Sequence, residues 1–174
     1  YVIYRRNEET LARSQAIPGQ VGLEHRIGGL EKGEDGGVSY DPENHEEMSH
    51  LRAQKIDGIS KSFDPTTING DSDGDLLVIG WGGTYGAISS AVKNLRDEGF
   101  SISSIHLRHL NPLPDDLCGI MSRFKKVIVP ELNLGQLNLI IRAKYLVDVI
   151  SYGKLQGKPF KVSELREKFI EHLS

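Results

Sequence analysis

A single cysteine, Cys118, stands among 174 residues, so no disulfide can close within the chain, and a reducing cytoplasmic setting fits better than secretion. Long apolar runs are missing too. Tyr1-Val-Ile-Tyr-Arg-Arg is too short for a signal peptide or a membrane span. Charge of one sign is also missing: 21 basic against 24 acidic residues leave a net charge of −3, which gives no electrostatic reason to expect nucleic acid or an anionic membrane. No methionine opens the chain, and the expectation is a fragment or processed piece. Internal repeats and low-complexity tracts are absent.

What is present begins at Asp75. Leu76 to Ile79 form the short continuous apolar run of a parallel strand covered on both faces. The turn Gly80-Trp81-Gly82-Gly83-Thr84-Tyr85-Gly86 follows, and Ile88, Ala91, Val92 and Leu95 then share one helical face. Before this point Gly, Glu, Asp, Lys and Arg dominate and turn pairs such as Pro18-Gly19 and Gly36-Gly37 recur, which argues against an independent core. The expected division is therefore 1–74, a polar arm and linker with one helix, and 75–174, an α/β domain. The arm's helix should start at the Asp41-Pro42 cap and run through Met48, Leu51, Lys55 and Ile59. Limited proteolysis should cut first between Arg26 and Lys61.

Beyond the first helix the pattern alternates. Gly99 reads as a helix stop, Ser101 to Leu107 as a second strand, and Leu117, Ile120, Met121 and Phe124 as a helix face. Lys126 to Val129 reads as a third strand ending at Pro130, Leu137, Ile140, Ile141 and Tyr145 as a core helix face, and Val147 to Ser151 as a fourth strand. Ser163 caps a last helix carrying Leu165, Phe169 and Leu173. Such alternation implies right-handed crossovers and a three-layer α/β/α, mostly parallel sheet.

Several chemical motifs are nearly made. The glycine turn has the spacing G-x-G-G-x-x-G, and the second strand ends in Leu107-Arg108 where a ribose-binding acid would be needed, so the glycines read first as a tight turn, although helix-start N–H groups remain able to attract an anion. Asn69, Asp71, Asp73 and Gly74 begin a calcium-loop pattern, yet Gly80 stands where a bidentate Glu is required. His45 and His50 are five apart, which turns their imidazoles about 140° from each other around a helix. No G-x-S-x-G elbow exists, and Cys118 reads as a core filler. His106-Leu-Arg-His109 and Glu131-Leu-Asn133 lie at carboxyl ends of expected strands, the working edge of open α/β sheets.

The strings IPGQVGLEHRIGGLEK (17–32), SYDPENHEEM (39–48), LLVIGWGGTYGAI (76–88), HLRHLNPLP (106–114), PELNLGQL (130–137) and ISYGKLQGKPF (150–160) resemble, in order, the C-terminal part of the α subunit of 2-oxoacid:ferredoxin oxidoreductases, nearest the 2-oxoglutarate type. The resemblance implies a domain like the C-terminal domain of transketolase. It also implies a whole enzyme that oxidatively decarboxylates a 2-oxoacid to an acyl-CoA with thiamine diphosphate, magnesium and an iron–sulfur cluster, uses coenzyme A as substrate, and passes electrons to ferredoxin. The family's upstream pyrimidine domain and its activating glutamate have no counterpart in this stretch, and one cysteine cannot hold a four-cysteine cluster. The chain alone is therefore expected to be inactive, to bind none of these cofactors, to carry no catalytic or metal-binding residue, and to partner the rest of the α subunit and a β subunit. Its expected interface or cleft rim comprises Gly82, Gly83, Thr84 and Tyr85, then Arg108, His109 and Asn111, then Glu131, Asn133 and Gln136, with leucines 110, 113, 132 and 134 interspersed. Arg108→Ala or Glu131→Ala should weaken assembly while leaving the isolated fold intact. A free-standing nucleotide- or coenzyme A-binding module and a pure assembly domain are the alternatives.

Overall fold

The structure is a computed structural model and describes residues 1–173. It divides into two compact units, Tyr1–Phe63 and the residues from Asp64 onward. The first contains α1 (Pro42–Asp57), entered as expected: Asp41 is extended, its carboxylate accepts from the Glu43 N–H at 3.2 Å, and Pro42 occupies the first turn. A 3₁₀ turn, Gly58–Ser62, ends it and leaves Ile59 exposed rather than on the helix face. The rest is turns with bridges at Arg6–Arg13 and Lys32–Val38. Met48 is the one buried apolar side chain of this unit, so its order rests on polar contacts such as Glu31, which takes His45 at 2.8 Å and Arg52 at 3.0 Å. His50 lies instead 3.8 Å from Glu46, and the two imidazoles have separate partners.

The second unit is a five-stranded sheet in the order β1-β3-β2-β4-β5: β1 (Ile68–Asn69), β2 (Gly74–Trp81), β3 (Ile102–Leu107), β4 (Phe124–Glu131) and β5 (Val149–Gly153). Only β1 runs antiparallel; the other pairings are parallel. Helices α2 (Tyr85–Asp97) and α5 (Val162–Leu173) cover one face over Leu76, Val78, Ile128 and Phe169. Helices α3 (Leu117–Met121) and α4 (Gln136–Tyr145) cover the other over Leu77, Ile79, Val127 and Val129. Alternate β2 residues thus feed opposite cores, and Leu76 to Ile79 are all 0% exposed, which is why this strand reads as an unbroken apolar run. The α/β/α architecture is the one the strand and helix periods imply.

Several local expectations differ: Cys118, expected as a core filler on the third helix, is exposed, because that helix turns Leu117, Ile120 and Met121 to the core instead. Residues 64–74, the end of the stretch expected as arm and linker, group with the sheet unit, which starts at Asp64. Thr66 donates through N–H and hydroxyl to Asp116, both at 2.7 Å, β1 pairs with β3, and Asp71 receives Arg96 at 2.9 Å. That pairing makes Asp71 a clasp on α2, and Arg96 holds its carboxyl below the usual carboxylate range. The third helix is short because Phe124 already starts β4. Pro130 lies inside β4, tolerated because pairing with β2 ends at Ile128 and no donor is needed on that side. Ile140, expected in the core, is 49% exposed.

Candidate functional site

Because β2, β3, β4 and β5 run parallel, the loops that follow them gather on one edge of the sheet. The strand after α2 lies on one side of β2 and β4 on the other, so the chain reverses its winding between β2 and β4, the position where this class of sheet forms a crevice. In this chain that position carries a polar network. Glu131 ends β4 at 0% exposure. One carboxylate oxygen accepts from Trp81 Nε1 at 3.3 Å, Asn133 Nδ2 at 3.1 Å and the Leu137 N–H at 2.9 Å, and the other from the Asn138 N–H at 3.1 Å.

Asn133 completes the arrangement, its Oδ1 accepting from Gly135 N–H at 2.7 Å and Gln136 N–H at 3.0 Å. A helix start leaves its first N–H groups without intrahelical acceptors, and here four successive donors, residues 135 to 138, are satisfied by two side chains, Glu131 at the strand end and Asn133 in the loop. The N-terminus of α4 is therefore closed to an external anion. Asn138 in turn donates to the Val149 carbonyl at 3.0 Å, and the Lys154 N–H donates to the Glu131 carbonyl at 2.9 Å, so the network ties β4, α4 and β5 together.

The expected rim residues fall into two sets by exposure. Glu131, Asn133 and the buried Thr84 hold loops in place, whereas Gly82, Gly83, Tyr85, Arg108, His109, Asn111 and Gln136 are exposed. Thr84 donates to the Trp81 carbonyl at 2.8 Å and accepts from the Trp81 N–H at 3.2 Å, closing the turn. Leu113 is buried and Leu110 packs on the core, so of the four leucines only Leu132 and Leu134 face outward. Trp81 and His106 were absent from the expected set. The chain's one tryptophan at a strand end was the available signal for the first, since an enclosed indole N–H needs an acceptor.

His106 meets the Tyr85 ring edge-on at 5.0 Å between centroids. Burial, reinforced by Arg108 and partly offset by a backbone hydrogen bond with Gly82, lowers its pKa from the ordinary value. The folded chain therefore favours neutral imidazole. Its stabilising contribution is complete above the unfolded pKa of about 6.5 and is lost as pH falls through the folded value. His106→Asn is expected to flatten the stability–pH curve below about pH 6.5, measured by thermal unfolding across pH; an unchanged slope would show that His106 does not titrate differently on folding.

No cluster of three or more His, Cys, Asp or Glu side chains able to hold a metal occurs among the described residues, and the single thiol does not fit an iron–sulfur cluster. No helix among them is long and apolar enough to cross a membrane. The fold and its edge define an α/β/α domain whose strand-end loops are braced from within.

Residues 74–165 match pyruvate:ferredoxin oxidoreductase core domain II, and the chain belongs to that family. It is 49% identical over 167 residues to 2-oxoglutarate oxidoreductase subunit KorA of Mycobacterium tuberculosis, covering 93% of this chain and 25% of that protein. It is 31% identical over 151 residues to 2-oxoglutarate synthase subunit KorA of Methanocaldococcus jannaschii, covering 83% and 39% respectively. Among solved structures, 2-oxoglutarate:ferredoxin oxidoreductase from Magnetococcus marinus, with 2-oxoglutarate, coenzyme A and succinyl-CoA bound, superposes with a TM-score of 0.90 at 32% identity, over 98% of this chain and 30% of that one. The chain thus spans between a quarter and two fifths of the length of these relatives.

Proposed function

We propose that this chain is the structural and interface portion of the α subunit of a cytoplasmic, thiamine-dependent 2-oxoacid:ferredoxin oxidoreductase, with 2-oxoglutarate as the substrate. The observation that carries this reading is the 49% identity over 93% of the chain to a 2-oxoglutarate oxidoreductase subunit four times as long. The whole enzyme would oxidatively decarboxylate 2-oxoglutarate, join the acyl group to coenzyme A and reduce ferredoxin. Thiamine diphosphate, magnesium and the iron–sulfur cluster would be held by the rest of the α subunit and by the β subunit. What this chain contributes is a rigid strand-end edge: the Glu131–Asn133 network fixes the loops from below, and Tyr85, Arg108, Leu132 and Leu134 are left presented to other parts of the enzyme.

The purified 174-residue chain is expected to reduce neither ferredoxin nor a viologen dye with 2-oxoglutarate and coenzyme A. Combined Arg108→Ala and Leu134→Ala substitutions in the full-length subunit are expected to reduce recovery of the assembled complex at least tenfold, about 1.4 kcal/mol, while the 174-residue chain with the same changes, both at exposed positions, unfolds at the wild-type temperature. Turnover by the chain alone, or wild-type assembly and kinetics in the double variant, would overturn the assignment.

A further inference from the structure

The first unit, taken by itself, gathers cations without gathering acids to match. Arg6 and Arg13 are partners in an antiparallel bridge, and burial first, then the charges of Arg13 and Arg52, hold Arg6 below its ordinary pKa. Its Nη1 donates to the Leu11 carbonyl at 3.0 Å, but its enclosed Nε meets no acceptor. Lys55 lies three residues beyond Arg52 on the same side of α1. Among the described residues only Arg52 of this group is paired with an acid, Glu31 at 3.0 Å. Like charges gathered in this way repel one another, and the group is short of negative charge.

Arg13 and Lys55 border one cavity of about 540 Å³, a size that suits small-molecule sites, and Tyr1, Tyr4 and His25 border it with them. Glu24 is the one acid on its border, so the wall keeps an excess of positive charge. The Arg13 guanidinium stands 4.5 Å over the Tyr4 ring, which orients it without neutralising it. Tyr1 donates its hydroxyl to the Ser14 carbonyl at 3.0 Å and meets the His25 ring at 5.6 Å between centroids. We propose that this cavity binds a nucleoside phosphate, its phosphates received by Arg13 and Lys55 and its base lying against Tyr1 and His25. Guanidinium and ammonium groups are the usual receivers of phosphate oxygens, and any base has a π-face for an aromatic ring. The same chemistry is carried by free ADP and by the adenosine end of coenzyme A. Only the second source rests on the reading of this chain as part of a coenzyme A-using enzyme.

The test titrates ADP, coenzyme A and inorganic phosphate calorimetrically into the complete enzyme, the full-length α subunit with its β subunit. ADP is expected to bind saturably and to protect residues 1–27 from hydrogen exchange. Arg13→Gln and Lys55→Gln should each weaken ADP by a factor of roughly ten or more, as loss of a charge-assisted hydrogen bond requires. Arg13→Lys, which keeps the charge, should restore most of the affinity, and Arg123→Gln, which removes an exposed cation from the sheet unit, should leave it unchanged. If saturating coenzyme A displaces ADP and both glutamine variants weaken both ligands alike, the site takes the adenosine end of coenzyme A. If ADP binds equally well beside saturating coenzyme A, it takes a free nucleotide. Because the titration needs no turnover, an enzyme that failed to oxidise 2-oxoglutarate would refute the assigned activity and leave this result readable. Absence of ADP binding, ADP binding unchanged in both glutamine variants, protection confined to other residues, or inorganic phosphate binding as tightly as ADP would overturn the inference.

Discussion

Replacing Glu131 by alanine is expected to lower the unfolding free energy of the sheet unit by about 4 kcal/mol, a large share of the stability of an ordinary domain. Four donors lose their acceptor at once: the Trp81 indole N–H, the Asn133 amide and the backbone N–H groups of Leu137 and Asn138. The two backbone groups belong to the first turn of α4, where neither water nor another carbonyl can reach a site at 0% exposure without the loop opening. Glu131→Gln keeps the size and one oxygen but turns an NH₂ toward donors, so its loss should be intermediate. Urea unfolding followed by the fluorescence of Trp81, the only tryptophan, reads the effect at the network itself. A loss under about 1 kcal/mol in Glu131→Ala would show that the loop re-pairs its donors, and would restore the simpler view of Glu131 as a rim residue.

The sheet unit was legible because its signals are local and repeated. Leu76 to Ile79 could be little other than a buried strand, and the helical spacing of Ile88, Ala91, Val92 and Leu95 names the buried face of α2 residue by residue. Short polar elements were not legible. Strand β1 is two residues long and is recruited by side chains distant in sequence, Asp116 and Arg96, which no periodicity can announce. The same limit applies to the edge. Sequence spacing places Glu131 and Asn133 at a strand end, and parallel strands bring those ends together, but spacing says nothing of which polar groups turn inward. A loop carboxylate reads equally well as a rim residue or as a helix brace, and only the distances from Trp81 and from residues 135 to 138 decide. Ile140 failed differently. Its helical period is real, but the apolar residues of α4 cover two faces, and composition cannot say which of them meets the sheet.

Gly153→Ala should reproduce much of the Glu131→Ala phenotype through the backbone. A Cβ at position 153 would lie 2.6 Å from the Asn133 carbonyl oxygen, closer than real contacts allow, and that neighbour is main chain rather than the movable end of a side chain. The last residue of β5 and the β4–α4 loop must separate to admit a methyl group, which pulls Asn133 away from the Gly135 and Gln136 N–H groups and strains the Lys154 to Glu131 hydrogen bond. The expected cost is about 2 to 3 kcal/mol, the range for forcing atoms into a packed site. Gly83→Ala is the control, since a Cβ there meets nothing within 4 Å. Because both substitutions damage one hydrogen-bonded unit, their effects should not add. The double variant Glu131→Ala/Gly153→Ala should be more stable than the sum of single losses predicts by at least about 1 kcal/mol, a coupling that a double-mutant cycle in urea measures directly. Additivity within about 0.5 kcal/mol would mean that the two positions act independently and that the network is not a single brace.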